Sequence, residues 1–196
     1  MKKIIGLTGT TGAGKSTISN EFYKKGFFVI DCDKVAKQVV ETDKNTLDQL
    51  CNEFGADILN DDGILNRRLL ASRAFVDKNA TKKLNSITLP AIINNINELI
   101  SSCNSDYILL DAPTLFESGA NSICSAIVGV ICDDETRKSR IILRDNITEE
   151  EALARMSIQK SNDFFKENCT YIIENNSTID NLAEKAQSVI DEILKG

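Results

Sequence analysis

The sequence predicts a three-layer α/β fold built on one mainly parallel sheet of five strands. Short apolar runs recur along the chain at 3–7, 27–30, 107–110, 123–132 and 171–173. Stretches with apolar residues at helical spacing separate these runs. Strands that are apolar throughout are typical of parallel sheets covered by helices on both faces.

The size and composition of the chain indicate one globular domain over residues 1–196. This length is enough for a single sizeable core. Charged residues make up 27% of the chain, which is the ordinary proportion for a protein in water. The apolar runs are much shorter than the ~20 residues that a transmembrane helix needs, and the first residues lack the long apolar stretch of a signal peptide. We therefore expect a cytoplasmic protein that does not bind membranes.

The residue types present exclude several classes of function. The chain contains no histidine, which excludes Ser-His and Cys-His catalysis and argues against a zinc enzyme. Its six cysteines include no Cys-x-x-Cys pair, so buried free thiols are favoured over disulfides or metal ligands. The net charge of −6 gives no reason to expect a nucleic-acid partner. No feature of the sequence indicates an obligate protein partner.

The middle of the chain, about 33–102, shows helical patterns and no convincing strand. Apolar residues over 91–100 recur at helical spacing, and Pro90 is expected in the first turn of that helix or at a kink. This region is predicted to be a helical insertion between the second and third strands.

One further helical segment follows the fourth strand, and the C-terminal helix follows the fifth. Thr148 and Glu151 have the spacing of a capping box, at the start of a helix that runs toward Lys160. Ser177 and Asp180 have the same spacing before the C-terminal helix. The apolar residues of that last helix form one stripe, which is expected to face the core: Ile179, Leu182, Ala186, Val189, Ile190 and Ile193.

One motif identifies the class of ligand. Residues 9–16 read Gly-Thr-Thr-Gly-Ala-Gly-Lys-Ser and fit the phosphate-binding loop pattern G-x-x-x-x-G-K-[ST] at every fixed position. The glycines let the loop turn so that backbone N–H groups point at phosphates, and the following helix adds the positive end of its dipole. Lys15 can reach the β- and γ-phosphates, and the Ser16 hydroxyl can bind Mg²⁺. The sequence therefore predicts nucleoside triphosphate binding.

The loop alone does not define the reaction. A GTPase is disfavoured because the dipeptide Asn-Lys of the guanine-reading motif does not occur in the chain. A nucleotide-binding switch protein without transfer activity is disfavoured by the same absence and by the charged segment near 140–165. A small P-loop protein with helical inserts after strands two and four is similar to nucleoside-monophosphate kinases. The predicted fold class is thus a P-loop kinase three-layer sandwich, with an acceptor-binding insertion at about 33–102 and a short lid at about 140–165.

Segments along nearly the whole chain resemble the dephospho-coenzyme A kinase family. They are, in order, 5–9, 29–36, 54–55, 62–70 with Phe75, 84–90, 112–117, 144–145 with Arg155 and Gln159, and 173–176. The chain departs from the family at Leu89, where a histidine is usual. The resemblance implies transfer of the γ-phosphoryl group of ATP to the ribose 3′-hydroxyl of dephospho-coenzyme A, with Mg²⁺ as cofactor. Another P-loop kinase acting on a nucleoside or nucleotide is the alternative.

The motif, the positions of residues at strand ends and on helices, and the resemblance together indicate which residues form the site. The ATP contacts are expected from Gly12, Ala13, Gly14, Lys15, Ser16, Thr17, Arg144 and Asn175. The catalytic residues are expected to be Lys15, Asp33 and Arg140. The acceptor contacts are expected from Asp31, Arg67, Pro113, Leu115 and Glu117, with Arg67 favoured over its neighbour Arg68. Ser16 and Asp111 are expected to hold the metal.

Several of these residues also have a structural interpretation. Asp33 follows the end of a strand, where α/β sheets bind ligands, and is predicted to orient or accept the proton of the attacking hydroxyl; alternatively, it caps a helix over 34–40. Arg140 and Arg144 lie four residues apart on one helical face, where they clamp the transferring group or remain solvated. Asp111 ends a strand and either holds Mg²⁺ through water or is structural. Glu117 either contacts the acceptor or starts a helix.

Overall fold

The computed structural model describes residues 2–176 and 179–195. The chain forms two compact units. One comprises Met1–Asp31 and Asn104–Gly196 and contains the sheet, and the other comprises Cys32–Cys103 and is helical. The helical unit covers the region in which the sequence shows helical patterns and no strand.

The sheet unit contains five parallel strands, which confirms the predicted fold class. The strands are β1 (Lys3–Gly9), β2 (Phe28–Asp31), β3 (Tyr107–Asp111), β4 (Ala126–Ile131) and β5 (Tyr171–Glu174). They are ordered β2-β3-β1-β4-β5, and every neighbouring pair is parallel. The prediction that the fourth strand starts at residue 123 was wrong, because β4 starts at Ala126. Residues Ala120–Ile123 form a short 3₁₀ helix, which the Cys124 amide closes by donating to the Asn121 carbonyl.

The helices connect these strands and form the inserted unit. In chain order they are α1 (Lys15–Lys24), α2 (Cys32–Thr42), α3 (Lys44–Phe54), α4 (Arg67–Ala74), α5 (Lys78–Ser102), α6 (Asp134–Asp145), α7 (Glu149–Ser157), α8 (Asn162–Asn168) and α9 (Ile179–Lys195). Within the described residues, none of them is both long and apolar enough to span a membrane.

One core fills the space between the sheet and the helices α1 and α9. Ile5 and Leu7 of β1 point into this core, because alternate residues of a strand face the same side of the sheet. The predicted stripe of α9 lies in the same core, with four of its residues buried: Leu182, Ala186, Ile190 and Ile193. Val189 is half-buried against it, and the side chain of Ile179 is outside the described residues.

The opposite face of the sheet is packed closely over two glycines. A Cβ atom at Gly6 of β1 would lie 2.6 Å from a methyl group of Leu115, and one at Gly129 of β4 would lie 2.8 Å from the Cys169 sulfur. Leu115 and Cys169 therefore rest directly on the strand backbone. The missing side chains on this face allow the segments after β3 and before β5 to lie against the sheet.

The helical unit has a hydrophobic core of its own. Its buried residues come from α3, α4 and the chain between them: Leu50, Phe54, Ile58, Leu65, Leu70 and Ala74. Side-chain caps begin three of its helices, with Asp43, Asn66 and Asp77 each accepting a hydrogen bond from a backbone N–H of the first turn. The prediction of a helix start or kink at Pro90 was wrong in its first part, because α5 begins twelve residues earlier, at Lys78, and contains Pro90 in its interior.

The cap predicted at Thr148 is confirmed. The Thr148 hydroxyl accepts from the Glu151 amide, and the Glu151 carboxylate accepts from the Thr148 amide, at 3.2 Å and 2.8 Å. The helix ends at Ser157, before Lys160. A turn follows it, in which the Gln159 amide donates to the Met156 carbonyl. The cap predicted at Ser177 lies outside the described residues.

All six cysteines are free thiols, as predicted. Only Cys132 is fully buried, and the other five are half-buried, so the prediction of burial is right for that one residue alone. Burial nevertheless raises the pKa of Cys124 and of Cys169 to about 11. These two thiols therefore stay protonated at neutral pH and are poor nucleophiles.

The close contact between β1 and β4 predicts that Gly9 cannot be replaced. Gly9 has a φ of 148°, and a Cβ atom there would lie 2.1 Å from the Val130 carbonyl oxygen. Gly9→Ala is expected to lower the free energy of unfolding by about 3 kcal/mol or more, because rigid backbone must move. Gly26 is the matched control, since it has a φ of 88° and nothing within 4 Å of an added Cβ.

Gly26→Ala is expected to cost only about 1–2 kcal/mol, the strain of a left-handed conformation. Urea unfolding of the two variants measures both losses. Equal losses would show that the contact with β4 does not constrain Gly9.

Candidate active site

The phosphate-binding loop lies between β1 and α1, as the motif predicts. The strand ends at Gly9, and α1 begins at Lys15 after Gly14, which has a left-handed φ of 94°. The first amides of a helix have no preceding turn to donate to, so those of Lys15 and Ser16 are available to an anion at the mouth of α1.

Packing around two glycines fixes the path of the loop. A Cβ atom at Gly14 would lie 2.6 Å from the Asn175 amide nitrogen, and one at Gly12 would lie 2.9 Å from the Arg137 carbonyl oxygen. Both glycines also have positive φ values, which other residues adopt only with strain. The loop is therefore confined by the residues after β5 on one side and by α6 on the other.

Residues from other elements bond the carbonyl groups of the loop. Asn175 donates from Nδ2 to the Ala13 carbonyl at 2.8 Å. Arg140 donates from Nη1 to the Asn175 carbonyl at 3.1 Å and reaches the Gly12 carbonyl at 3.5 Å. A loop whose carbonyls are bonded outward can present its N–H groups inward, which is the arrangement that binds phosphates. Asn175 and Arg140 thus contact the predicted ATP site through the loop backbone.

The ammonium group of Lys15 forms an ion pair with Asp111. Both side chains are mostly buried, with exposed fractions of 19% and 12%. Asp111 ends β3 and is paired in register with Asp31, which ends β2. Two carboxylates therefore lie at neighbouring strand ends, at the same edge of the sheet as the phosphate loop. This is the edge at which open α/β sheets bind their ligands.

The two arginines predicted to clamp the phosphoryl group have different surroundings. Arg140 contacts the loop, as described above. Arg144 is 60% exposed and donates to Asp145, the last residue of α6, from two nitrogens at 2.7 Å and 2.9 Å. Arg155 of α7 contacts the same carboxylate. Hydrogen bonds from Arg144, and the charges of both arginines, lower the pKa of Asp145, so this carboxylate stays charged and connects α6 to α7.

Two residues contact the loop although sequence reasoning gave them no role in it. Gln159, between α7 and α8, accepts from the Thr11 amide at 3.1 Å and donates to the Thr11 hydroxyl. Arg137 of α6 is buried and donates to Gln159 at 3.1 Å. The helical spacing of 137, 140 and 144 was visible in the sequence, but the contact between a loop glutamine and a threonine 148 residues earlier was not.

The segment after β3 contains three of the predicted acceptor residues. Pro113 is exposed, and its carbonyl accepts from the Thr8 hydroxyl at 3.2 Å. Glu117 is exposed in a turn, so its alternative interpretation as a helix start was wrong. Leu115 is fully buried over Gly6, and its side chain has no exposed surface with which to bind an acceptor. Phe116 packs edge to face against Phe164 of α8, with ring centroids 5.1 Å apart.

The helical unit contains an open cavity of about 420 Å³ lined by Asp33 and Arg67. The rest of its lining is mainly apolar: Ala36, Val40, Leu65, Leu70, Ala71, Phe75, Leu84 and Ile92, together with Lys37 and Thr88. Arg67 pairs with Glu41 at 2.9 Å and donates to the Lys37 carbonyl at 3.3 Å. The interpretation of Asp33 as an N-cap was wrong, because α2 already begins at Cys32 and Asp33 lies in its first turn.

The fold and the loop define the class of this protein. A phosphate-binding loop after the central strand of a five-stranded parallel sheet, with helical insertions after β2 and β4, is the architecture of P-loop kinases.

The comparisons with known proteins identify the family within that class. The family model described as dephospho-CoA kinase matches residues 3–181. The chain therefore belongs to the dephospho-CoA kinase family. Its activity is the ATP-dependent phosphorylation of dephospho-coenzyme A, the last step of coenzyme A biosynthesis.

Individual relatives are similar to this chain over nearly their whole lengths. The chain is 38% identical to a dephospho-CoA kinase of Fusobacterium nucleatum, over 97% of this chain and 98% of that protein. It is 35% identical to a dephospho-CoA kinase of Lactobacillus johnsonii, over 98% of this chain and 99% of that protein. The solved dephospho-CoA kinase of Campylobacter jejuni superposes with a TM-score of 0.75 at 27% identity, over 100% of this chain and 99% of that one.

The buried contact of Asn175 with the loop predicts a stability difference. Asn175→Ala is expected to lower the free energy of unfolding by about 1–3 kcal/mol, because the Ala13 carbonyl loses its partner away from water. Asn168→Ala is the matched control, since Asn168 donates over the same 2.8 Å to the Phe164 carbonyl but is exposed.

Urea unfolding of both variants measures the difference, and Asn168→Ala is expected to lie within about 0.5 kcal/mol of the parent chain. A similar small loss for Asn175→Ala would show that its hydrogen bond does not secure the loop.

Proposed function

We propose that this chain transfers the phosphoryl group with Lys15 and Arg140 as charge-stabilising residues, Asp33 as the base and the helical unit as the acceptor site. The observation that carries the proposal is the ion pair of Lys15 and Asp111 beside the phosphate loop, at the carboxyl ends of β1 and β3. Phosphoryl transfer depends mainly on positioning the reactants and on neutralising charge. The proposal assigns both tasks to residues at this edge of the sheet.

On the donor side, Lys15 exchanges partners when ATP binds. Its ammonium group moves from Asp111 to the β- and γ-phosphates, where it stabilises the charge that develops on the bridging oxygen as ADP leaves. The amides at the start of α1 bind the β-phosphate. Arg140, which donates to the carbonyl groups of Gly12 and Asn175, adds positive charge beside the loop. Thr17 and Arg144 complete the proposed ATP contacts, with Asn175 acting through the Ala13 carbonyl.

The metal site is proposed at Ser16 and Asp111. The Ser16 side chain is exposed in the first turn of α1, and Asp111 provides a carboxylate at the end of β3. Hard oxygen ligands suit Mg²⁺, which in kinases uses one or two protein ligands together with phosphate oxygens and waters. Ser16 and Asp111 would hold Mg²⁺, which would supply positive charge to neutralise the phosphates.

On the acceptor side, Asp33 takes the proton of the ribose 3′-hydroxyl. The hydroxyl oxygen forms a bond to the γ-phosphorus, the bond from that phosphorus to the bridging oxygen breaks, and the proton moves to the Asp33 carboxylate. Support for this role comes from the position of Asp33 two residues after β2, and from the cavity that its side chain lines together with Arg67.

The chemistry of the cavity fits the acceptor. Dephospho-coenzyme A joins a nucleoside diphosphate to a long, weakly polar chain. Arg67 has five N–H donors in a planar fork, enough to bind Glu41 and a phosphate together. The apolar walls of the cavity suit the chain. Asp31, Pro113 and Glu117 are proposed as further acceptor contacts, and Leu115 as a support for the segment that contains them.

Removal of the loop lysine tests the donor side. Lys15→Ala is expected to lower kcat by at least about 10²-fold, which corresponds to about 3 kcal/mol of lost transition-state stabilisation. The assay measures ADP release with dephospho-coenzyme A as the acceptor. A panel of nucleosides and nucleotides as acceptors tests the alternative, a P-loop kinase acting on a nucleoside or nucleotide.

Lys25→Ala is the matched control, because Lys25 follows α1 and pairs with an exposed carboxylate, Asp191, at 3.3 Å. It is expected to retain parent activity. A folded Lys15→Ala protein with normal turnover would refute the proposed role of the loop.

Replacement of Asp33 by asparagine tests the base. Asp33→Asn keeps the shape of the side chain but cannot take a proton, so kcat is expected to fall about 10²-fold or more while the Kd of ATP stays unchanged. Loss of the charge in the first turn of α2 is expected to cost at most about 1 kcal/mol of stability.

Asp163→Asn makes the same change in the first turn of α8 and serves as the control for that cost. Measurements of kcat, ATP affinity and melting temperature on both variants separate the two effects. Parent-like kcat in Asp33→Asn would eliminate Asp33 as the base.

A further inference from the structure

We propose that Gln159 is a positioning residue that fixes the phosphate loop for ATP through a two-point clamp on Thr11. This inference rests on the proposed role of the loop and extends it to a residue outside the motif. Gln159 lies between α7 and α8, within the segment predicted as the lid, and is half-buried.

The clamp uses both ends of the Gln159 carboxamide on one loop residue. The Thr11 amide donates to Oε1 at 3.1 Å, and Nε2 donates to the Thr11 hydroxyl oxygen. Two hydrogen bonds to one residue define its orientation as well as its distance. Thr11 directly precedes Gly12, so the clamp orients the peptide group that leads into the phosphate-binding amides.

Arg137 fixes the orientation of the carboxamide. Its Nη2 donates to Gln159 Oε1 at 3.1 Å, so the oxygen receives two N–H donors and the nitrogen remains for the Thr11 hydroxyl. The Arg137 side chain is only 5% exposed, and its backbone lies against Gly12. One residue of α6 therefore supports the loop at Gly12 and holds the residue that binds Thr11.

The clamp complements the contacts on the other half of the loop. Asn175 and Arg140 bond the carbonyls of Ala13 and Gly12, whereas Gln159 bonds the amide and the hydroxyl of Thr11. The loop is thus secured on both sides by contacts within the protein. Pre-organisation of this kind lowers the cost of ordering the site on binding, so its loss is expected to appear in nucleotide affinity.

Nucleotide binding to the full chain tests the clamp. The Kd of ADP in the presence of Mg²⁺ is measured by calorimetry. The values of kcat and KM are measured in assays of turnover with ATP and dephospho-coenzyme A. Gln159→Leu keeps the approximate volume and removes both bonds to Thr11, and is expected to raise the ADP Kd and the ATP KM about tenfold. The KM of dephospho-coenzyme A is expected to stay within about twofold.

Variants of Thr11 give an independent test if Gln159→Leu does not fold. Thr11→Val removes the hydroxyl and keeps the shape, and is expected to weaken ADP binding, whereas Thr11→Ser keeps the hydroxyl and is expected to bind as the parent does. In the double variant of Gln159→Leu and Thr11→Val, the second change is expected to add no further loss, because the bond is already broken.

Control variants separate the clamp from other effects. Ser157→Ala alters a nearby residue whose hydroxyl bonds its own helix, at the Ala154 carbonyl, and is expected to leave all constants unchanged. A lower melting temperature with unchanged ADP affinity in Gln159→Leu, or additive losses in the double variant, would overturn the clamp. Normal turnover of Lys15→Ala would instead refute the proposed function of the loop, so the two failures are distinguishable.

Discussion

The structure depends on one constraint, which is that the loop over 9–16 must leave the amides at the start of α1 available to an anion. A backbone in this conformation exposes carbonyl groups on its other side, and buried carbonyls need partners. Asn175 and Arg140 provide these partners for Ala13 and Gly12. The residues after β5, the first turns of α6 and the loop itself therefore form one hydrogen-bonded assembly, although they are far apart in sequence.

The same constraint explains where the backbone of the loop lies unusually close to neighbouring segments. Gly9, Gly12 and Gly14 are positions where a side chain would meet β4, α6 or Asn175. On the far face of the sheet, Gly6 and Gly129 allow Leu115 and Cys169 to rest on the strands. The glycines of the motif therefore serve packing as well as backbone conformation, and the sheet can bring Lys15 and Asp111 together at its edge.

The helical unit has a separate hydrophobic core and its own cavity. A division of this kind is suited to a kinase, because the sheet unit can bind the phosphates shared by all nucleotide donors while an inserted unit recognises one acceptor. Of the charged residues proposed for the reaction, Lys15 and Arg140 lie in the sheet unit, and Asp33 and Arg67 lie in the helical unit.

The sequence by itself determined the parallel sheet, the phosphate loop and the family, because these depend on local patterns: apolar runs, glycine spacing and residues adjacent along the chain. It also singled out Asn175 through the family resemblance and Arg140 through its helical spacing from Arg144. It misjudged features set by neighbours in space, such as the interior position of Pro90 in α5 and the start of β4. Tertiary structure alone decided that Leu115 is buried, that Lys15 pairs with Asp111, and that Gln159 contacts Thr11. Each of these contacts joins residues about a hundred or more positions apart, and the approach of such residues is fixed by the packing of the whole unit.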